Sequence, residues 1–158
     1  MAIALEPEAR LKTFYEEIKR EALWPLWLAP EGGRAHGRIR PWLWPWSNLR
    51  RRMLETCELM PVGEAGADRR VLAMNNPTAA PGAPGPTNTL SSAVQLVKPG
   101  EEAPSHRHSM AALRFIIEGD GGYTIVDGEP LTMEPGDFLL TPSWTWHGHA
   151  HEGPVSYT

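Results

Sequence analysis

The sequence carries two groups of histidines whose spacing suits metal binding. His106 and His108 stand one residue apart in PSHRHS, and His147, His149 and His151 alternate in WHGHAH. Because alternate side chains of a strand share one face, each group can present its imidazoles on one side of a β-sheet. Neutral imidazole is a common ligand of transition metals, and three such groups from two strands leave coordination positions open. The pattern therefore predicts a metal site that a small molecule can reach.

An arginine lies inside the apolar run that follows the first histidine pair. In MAALRFIIEG, Arg114 shares the parity of His106 and His108 if the strand stays regular, so it would face the interior with them. An unpaired buried guanidinium is costly, whereas one that binds a substrate carboxylate is paired in the working complex. Two interpretations stay open: a carboxylate-binding residue, or an inward salt bridge to Glu118 or Asp137.

Short β segments separated by turn signals must position these residues. From Thr89 onward, TLSSAVQLV, MAALRFIIEG, YTIV, PLTM, FLLTP and WTWHGH alternate with the turn sequences PGE, DGG, DGE and EPGD. Strands at this spacing, with Gly and Pro in the turns, are typical of an antiparallel barrel or sandwich. The segment ADRRVLAMNNP predicts one more strand upstream.

The N-terminal part of the chain predicts helices. Residues 8–23 place apolar side chains near a helical period, and residues 47–61 predict a second helix with Ser47 as its N-cap. Trp/Pro clusters in LWPLW and PWLWPW predict an arm that packs on the barrel or on a neighbouring subunit; stacking on an aromatic substrate is the alternative. We divide the chain into a helical arm over 1–62 and a β-barrel domain over 63–158.

Composition limits the class of protein and its partners. The chain has 158 residues, a net charge of −4, 41% hydrophobic residues and one cysteine, which predicts a globular protein without internal disulfides in a reducing cytoplasm. The charge gives no reason to expect nucleic acid or an anionic membrane, and no apolar stretch reaches the ~20 residues that span a bilayer. The run Arg50–Arg52 predicts a solvated or subunit-bridging face rather than a phosphate site.

Two stretches, PGEEAPSHRH and EPGDFLLTPSWTWHGH, resemble the two motifs of the cupin barrel. Together with LWPLW, RPWLWPW and DRRVLAMNNP, they make most of the chain similar to the gentisate 1,2-dioxygenase family and its salicylate and 1-hydroxy-2-naphthoate relatives. The resemblance implies a mostly β cupin fold of the jelly-roll type, preceded by an α-helical, Trp/Pro-rich arm. It also implies that such subunits continue with further barrel strands and a second cupin, so this chain resembles their N-terminal cupin portion. Three explanations stay open: a fragment truncated at its C-terminal end, strands supplied by a partner chain, or a poorly active protein.

The resemblance further implies the roles of individual residues. It assigns His106, His108 and His147 to Fe(II), since the carboxylate that many cupins supply four or five residues after the second histidine is missing from this sequence. It assigns Arg114 to the substrate carboxylate and Arg70 to a second anion contact. It further assigns Gln95 as a polar neighbour of the substrate and His149 as the group that contacts the substrate or handles a proton. Arg69 is an equally good candidate for the inward position of its pair, and His151 is expected to be exposed.

The activity that the resemblance implies is Fe(II)-dependent ring cleavage of a hydroxylated aromatic acid by O₂. Gentisate, converted to maleylpyruvate, is the first choice of substrate, and the enzyme is expected to be a cytoplasmic homo-oligomer. Three neutral imidazoles leave the charge of a divalent ion uncompensated, which favours a chelating anion such as an aromatic acid with an ortho hydroxyl. One alternative stays open, a non-catalytic or truncated cupin that binds a small aromatic acid. A zinc or manganese isomerase is disfavoured by the missing carboxylate and the inward arginine.

Overall fold

The structure is a computed structural model that describes residues 7–28, 39–63, 67–79, 85–87 and 89–152. The chain divides into two compact units, one within Met1–Pro61 and Ala65–Gln95 and the other within Val62–Glu64 and Leu96–Thr158. The predicted boundary between residues 62 and 63 stays a prediction. The strands Arg70–Met74 and Ala93–Leu96 lie in one sheet with the strand Leu23–Pro25.

The first unit contains two helices and a three-stranded sheet. Its elements are α1 (Pro7–Arg20), β1 (Leu23–Pro25), a 3-10 turn (Leu26–Leu28), α2 (Trp46–Leu59), β2 (Arg70–Met74) and β3 (Ala93–Leu96). The strand order is β1-β2-β3, and β1 is antiparallel to β2. Both helices and both of the first two strands contribute buried apolar side chains, among them Phe14, Ile18, Leu23, Leu49, Met53 and Leu72. No helix in the described ranges is long and apolar enough to cross a membrane.

Both predicted helices are present, with corrections at their ends. α1 ends at Arg20, earlier than predicted, since Ala22 takes a left-handed backbone (φ 58°) that turns the chain into β1. α2 begins at Trp46, and its N-cap is Pro45, which makes no side-chain capping bond. Ser47 is therefore not the N-cap, because it already lies in the first turn.

Tryptophans of the first unit make hydrogen bonds within that unit. The indole of Trp27 donates to the hydroxyl of Tyr15 at 2.9 Å, and that of Trp44 donates to the carbonyl of Ala22 at 3.0 Å. These bonds join the Trp/Pro segments to α1 and to the turn after it. The predicted packing of this arm on the barrel or on a neighbouring subunit stays a prediction.

Arg52 is the charged centre of the contact between α1 and α2. Its guanidinium donates to Glu17 at 2.6 Å, to Glu21 at 2.9 Å and to Glu55 on its own helix at 2.9 Å. Burial alone would raise the pKa of Glu21, but hydrogen bonds from Arg52 and Arg51 lower it below the ordinary value. The expectation of a solvated face is wrong for Arg52, which is 5% exposed because three carboxylates surround it.

The described residues of the second unit form two antiparallel sheets. Its main strands are β4 (Glu102–His106), β5 (Ala112–Phe115), β6 (Gly122–Val126), β7 (Glu129–Met133), β8 (Phe138–Thr141) and β9 (His147–His151). The larger sheet has the order β4-β9-β6-β7, and the smaller one pairs β5 with β8. The prediction of a mostly β domain preceded by helices is confirmed. β9, the last of these strands in sequence, lies between β4 and β6.

We expect Arg52→Met to lower the free energy of unfolding by about 3 kcal/mol, because it removes the buried cation that Glu17, Glu21 and Glu55 share and leaves only Arg51 beside Glu21. The matched control is Arg51→Met. Arg51 is more exposed and pairs only with Glu21, so its loss should cost less than about 1 kcal/mol. Urea unfolding followed by circular dichroism measures both, and equal losses in the two variants would contradict a buried network.

The same network predicts a dependence on pH. Since the folded-state pKa of Glu21 lies below its ordinary value of 4.5, the stabilisation is present above that pH and is lost as the pH falls through the folded-state pKa. The difference in stability between wild type and Arg52→Met should therefore shrink below about pH 4. A difference that stays constant down to acid pH would contradict this assignment.

Candidate metal centre

β9 buries all three of its histidines on one face. His147, His149 and His151 are 1%, 4% and 1% exposed, so the expectation that His151 is exposed is wrong. β9 is a central strand, and its alternation keeps the three side chains together on the covered side of the sheet. On the neighbouring strand, after an irregularity that begins at Ala103, His106 lies opposite His147.

Three imidazoles converge where β4 ends and β9 begins. One ring nitrogen from each of His106, His108 and His147 lies within 4.8 Å of the other two, and the ring centroids are 4.2 to 5.5 Å apart. His108 lies beyond the end of β4, so the strand alternation used in the sequence argument does not place it. Its Nδ1 instead donates to the carbonyl of Met110 at 2.6 Å, which fixes the orientation of the ring.

Backbone carbonyls set the tautomer of each clustered histidine. The Nδ1 atom donates to a carbonyl two residues away, at 3.3, 2.6 and 2.9 Å for His106, His108 and His147. Because a carbonyl only accepts, the proton lies on Nδ1 and the lone pair on Nε2, as in metal-ligating histidines. An ion that holds three imidazole nitrogens at about 2.1 Å sets them about 3 Å apart, so binding would draw the rings somewhat closer. The donor set fits a transition-metal ion.

Close packing on both sides of β9 fixes this row of histidines. Thr124 of β6, which is fully buried, donates its hydroxyl to the carbonyl of Gly148 at 2.9 Å. Toward β4, a Cβ on Gly148 would lie 2.8 Å from the Oγ of Ser105 and 3.3 Å from the carbonyl oxygen of Ala103. Sequence reasoning missed these residues, although a glycine between two histidines is a signal of close backbone approach.

Arg114 lies on the more buried face of the smaller sheet. It is paired with Leu139, and its guanidinium donates to the hydroxyl of Thr141, which is 1% exposed. Burial lowers the pKa of Arg114. The expected parity with His106 and His108 does not hold, since β4 ends before β5 begins and the chain between them is not a strand. Within the described residues the partner of Arg114 is a neutral hydroxyl rather than the carboxylate of a salt bridge.

The other predicted substrate contacts lie in both units. His149 is buried on the face of His147, and the two ring centroids are 6.1 Å apart. Arg70 belongs to β2 of the first unit, where it is fully buried and its Nε donates to a carbonyl at the end of α2 at 2.9 Å. Arg69 is only half-buried. Gln95 belongs to β3, and its Nε2 is buried without a hydrogen-bond partner in the described part of the chain. Their roles toward a substrate stay predictions.

Comparisons with known proteins agree with one another. The cupin domain model matches residues 93–158. A gentisate 1,2-dioxygenase of Streptomyces sp. is 43% identical over 88% of the chain, which covers 39% of that protein. A 5-aminosalicylate 1,2-dioxygenase of Comamonas sp. is 40% identical over 90% of the chain, and again 39% of that protein is covered. The chain thus spans about two fifths of the length of these curated relatives.

The fold is also found among solved structures. A variant of salicylate 1,2-dioxygenase from Pseudoaminobacter salicylatoxidans, in complex with gentisate, is similar with a TM-score of 0.70 and 38% sequence identity. This similarity covers 99% of the present chain and 43% of that protein.

We expect Gly148→Ala to lower the free energy of unfolding by about 1–3 kcal/mol, because the new methyl group overpacks the contact between β9 and β4. Ser105→Ala removes the Oγ that the methyl would meet first, so the double variant should recover part of the loss. Urea unfolding of the wild type, both single variants and the double variant measures this coupling. A fully stable Gly148→Ala, or strictly additive losses, would show that the approach is not tight.

Proposed function

We propose that this chain, which matches the cupin domain model over residues 93–158 and is similar to gentisate and salicylate 1,2-dioxygenases, is the metal-binding part of an Fe(II)-dependent dioxygenase that opens the ring of a hydroxylated aromatic acid. The observation that carries the proposal is the cluster of three imidazoles with carbonyl-fixed tautomers. Gentisate is the proposed substrate, cleaved by O₂ to maleylpyruvate, because the curated relatives include gentisate dioxygenases and a related structure holds gentisate.

The donor set and the reaction class together favour iron. Imidazole ligands suit zinc, copper, iron and nickel alike, but zinc has no redox chemistry of its own. In this proposal His106, His108 and His147 hold Fe(II), which supplies open coordination positions and the electron transfer between ring and O₂. The protein contributes the alignment of the reactants.

The charges of the site favour an anionic substrate. Histidine binds a metal through its neutral imidazole, so a divalent ion held by the three clustered side chains would keep its full charge. Arg114 adds a permanent cation in the same unit, held in place by Thr141. Its planar guanidinium can receive a carboxylate through two parallel hydrogen bonds. A hydroxylated aromatic acid offers the carboxylate and the adjacent oxygen that such a site selects.

Further contacts complete the proposal. His149, which is buried on the face of His147, is proposed as the group that takes a proton from a substrate hydroxyl group. Arg70 is proposed as a second anion contact and Gln95 as a polar neighbour of the substrate. We also propose a cytoplasmic homo-oligomer, and the absence of a disulfide at Cys57 within the described residues is compatible with a reducing compartment.

The proposal predicts iron-dependent consumption of O₂. The chain is loaded with Fe(II) under anaerobic conditions, mixed with gentisate, salicylate or 1-hydroxy-2-naphthoate, and followed with an oxygen electrode and by analysis of the products. We expect turnover with at least gentisate, and a loss of at least about 100-fold in kcat in His108→Ala, which removes one ligand. Tight binding of the acid without turnover in the iron-loaded wild type would contradict a dioxygenase and favour a binding protein.

The proposed carboxylate contact predicts a selective defect. Arg114→Ala should weaken gentisate binding by about 2–4 kcal/mol and leave the iron content unchanged, because the residue is assigned to the substrate and not to the metal. Hydroquinone, which lacks the carboxylate, is the matched ligand and should bind wild type and variant alike. Loss of iron, or equal weakening for both ligands, would show that Arg114 has another role.

A further inference from the structure

A cation–aromatic cluster lies next to the histidine cluster in the sequence, and we call it the indole clamp: Arg107, Trp144 and Trp146. The guanidinium carbon of Arg107 lies 5.6 Å from the ring centroid of Trp144 and 4.9 Å from that of Trp146. Both distances are within the range of a cation–π interaction, for which tryptophan is the best ring. The two indoles are 60% and 50% exposed, so apolar burial does not explain their arrangement.

The indole clamp joins the two chain segments that carry the proposed ligands. Arg107 lies between His106 and His108, and the two tryptophans lie just before His147, where the chain enters β9. The pairing of β4 with β9 reaches only to His106 and His147. Strand hydrogen bonds therefore do not restrain the segment that carries His108, and the stacked guanidinium lies where that restraint is missing.

Two hydrogen bonds to backbone carbonyls also connect the segment that carries His108 to the segment that enters β9. The N–H of Trp144 donates to the carbonyl of His108 at 2.9 Å, and the hydroxyl of Ser143 donates to the carbonyl of Ser109 at 2.6 Å. Trp144 also takes a left-handed backbone with φ of 62°. Such a conformation is strained for a bulky residue and persists where the surroundings hold it. The tryptophan is thus held at a defined place against the segment of His108.

We propose that Arg107 is a positioning residue for the metal centre. By stacking on both indoles it sets the distance between His108 and His147, and so the closeness of the three imidazoles. This inference rests on the proposed metal site, but it concerns affinity for the ion rather than the reaction. The contacts of Arg107 are with two aromatic rings, so its positive charge is the property that the test removes.

The test is Co(II) binding by the full 158-residue chain, measured by visible absorption in competition with a chelator. We expect Arg107→Met, which keeps an unbranched stem but no charge, to bind Co(II) about tenfold more weakly. Arg107→Lys keeps a cation and should recover most of the affinity. The matched control is Arg40→Met, because Arg40 stacks in the same way on Trp42, at 5.2 Å, in the first unit. It should bind Co(II) as the wild type does.

A second set of variants shows whether Arg107 acts through the rings. Trp146→Leu should lose part of the affinity that Arg107→Met loses, because the contact of Arg107 with Trp144 remains. The double variant should lose little more than Arg107→Met alone, since Arg107→Met already removes both contacts. The thermal unfolding midpoint of each metal-free variant should stay within a few degrees of the wild type, because the indole clamp is exposed. Large losses of stability that parallel the losses of affinity would point to a merely structural role and overturn the proposal.

The outcomes separate this inference from the proposed function. If the wild type binds Co(II) and Arg107→Met binds it equally well, the positioning role is wrong while the metal site stands. If Arg107→Lys is as weak as Arg107→Met, the cation is not the determinant and the proposal is also wrong. A wild-type chain that binds no Co(II) overturns the metal site and the positioning role together.

Discussion

The position of β9 between β4 and β6 is the constraint on which the metal centre depends. The register places His147 opposite His106, and a slip of one residue would turn every histidine of β9 to the other face of the sheet. On one side of this strand, Gly148 lies too close to β4 for an added methyl group. On the other side, the hydroxyl of Thr124 donates a hydrogen bond to the carbonyl of Gly148. The backbone pairing of β9 therefore determines which side chains come together, whether or not a ligand is bound.

The sequence predicted those features that depend on continuous local patterns. Alternation within one strand correctly put His147 and His149 on one face, and turn signals delimited most of the strands. Beyond the end of a strand, the odd or even position of a residue no longer indicates which face its side chain occupies. This is why His108 is oriented by a carbonyl bond and why the parity argument for Arg114 failed. Burial of Arg52 likewise depends on carboxylates from another helix, which no local pattern reveals.

The charges of the side chains in the second unit determine which kind of ligand it favours. The histidine cluster contributes neutral donors, and a carbonyl two residues away holds each ring in the tautomer that exposes a lone pair on Nε2. The described residues supply no carboxylate to this cluster, in contrast to the 2-His-1-carboxylate sites of many iron oxygenases. In the proposed function an anionic ligand supplies the compensating charge, so the proposed substrate and the proposed metal ligands depend on each other.

The bond between Arg114 and Thr141 has a consequence for the behaviour of the protein in ordinary buffers. The hydroxyl of Thr141 orients the guanidinium but does not neutralise its charge. The partial burial of that charge therefore lowers the stability of the fold. A small anion that binds this guanidinium offsets part of that loss of stability and stabilises the folded form by mass action. Chloride, sulfate or formate would then compete with the aromatic acid, so apparent affinities depend on the salt chosen, and thermal stability reports occupancy.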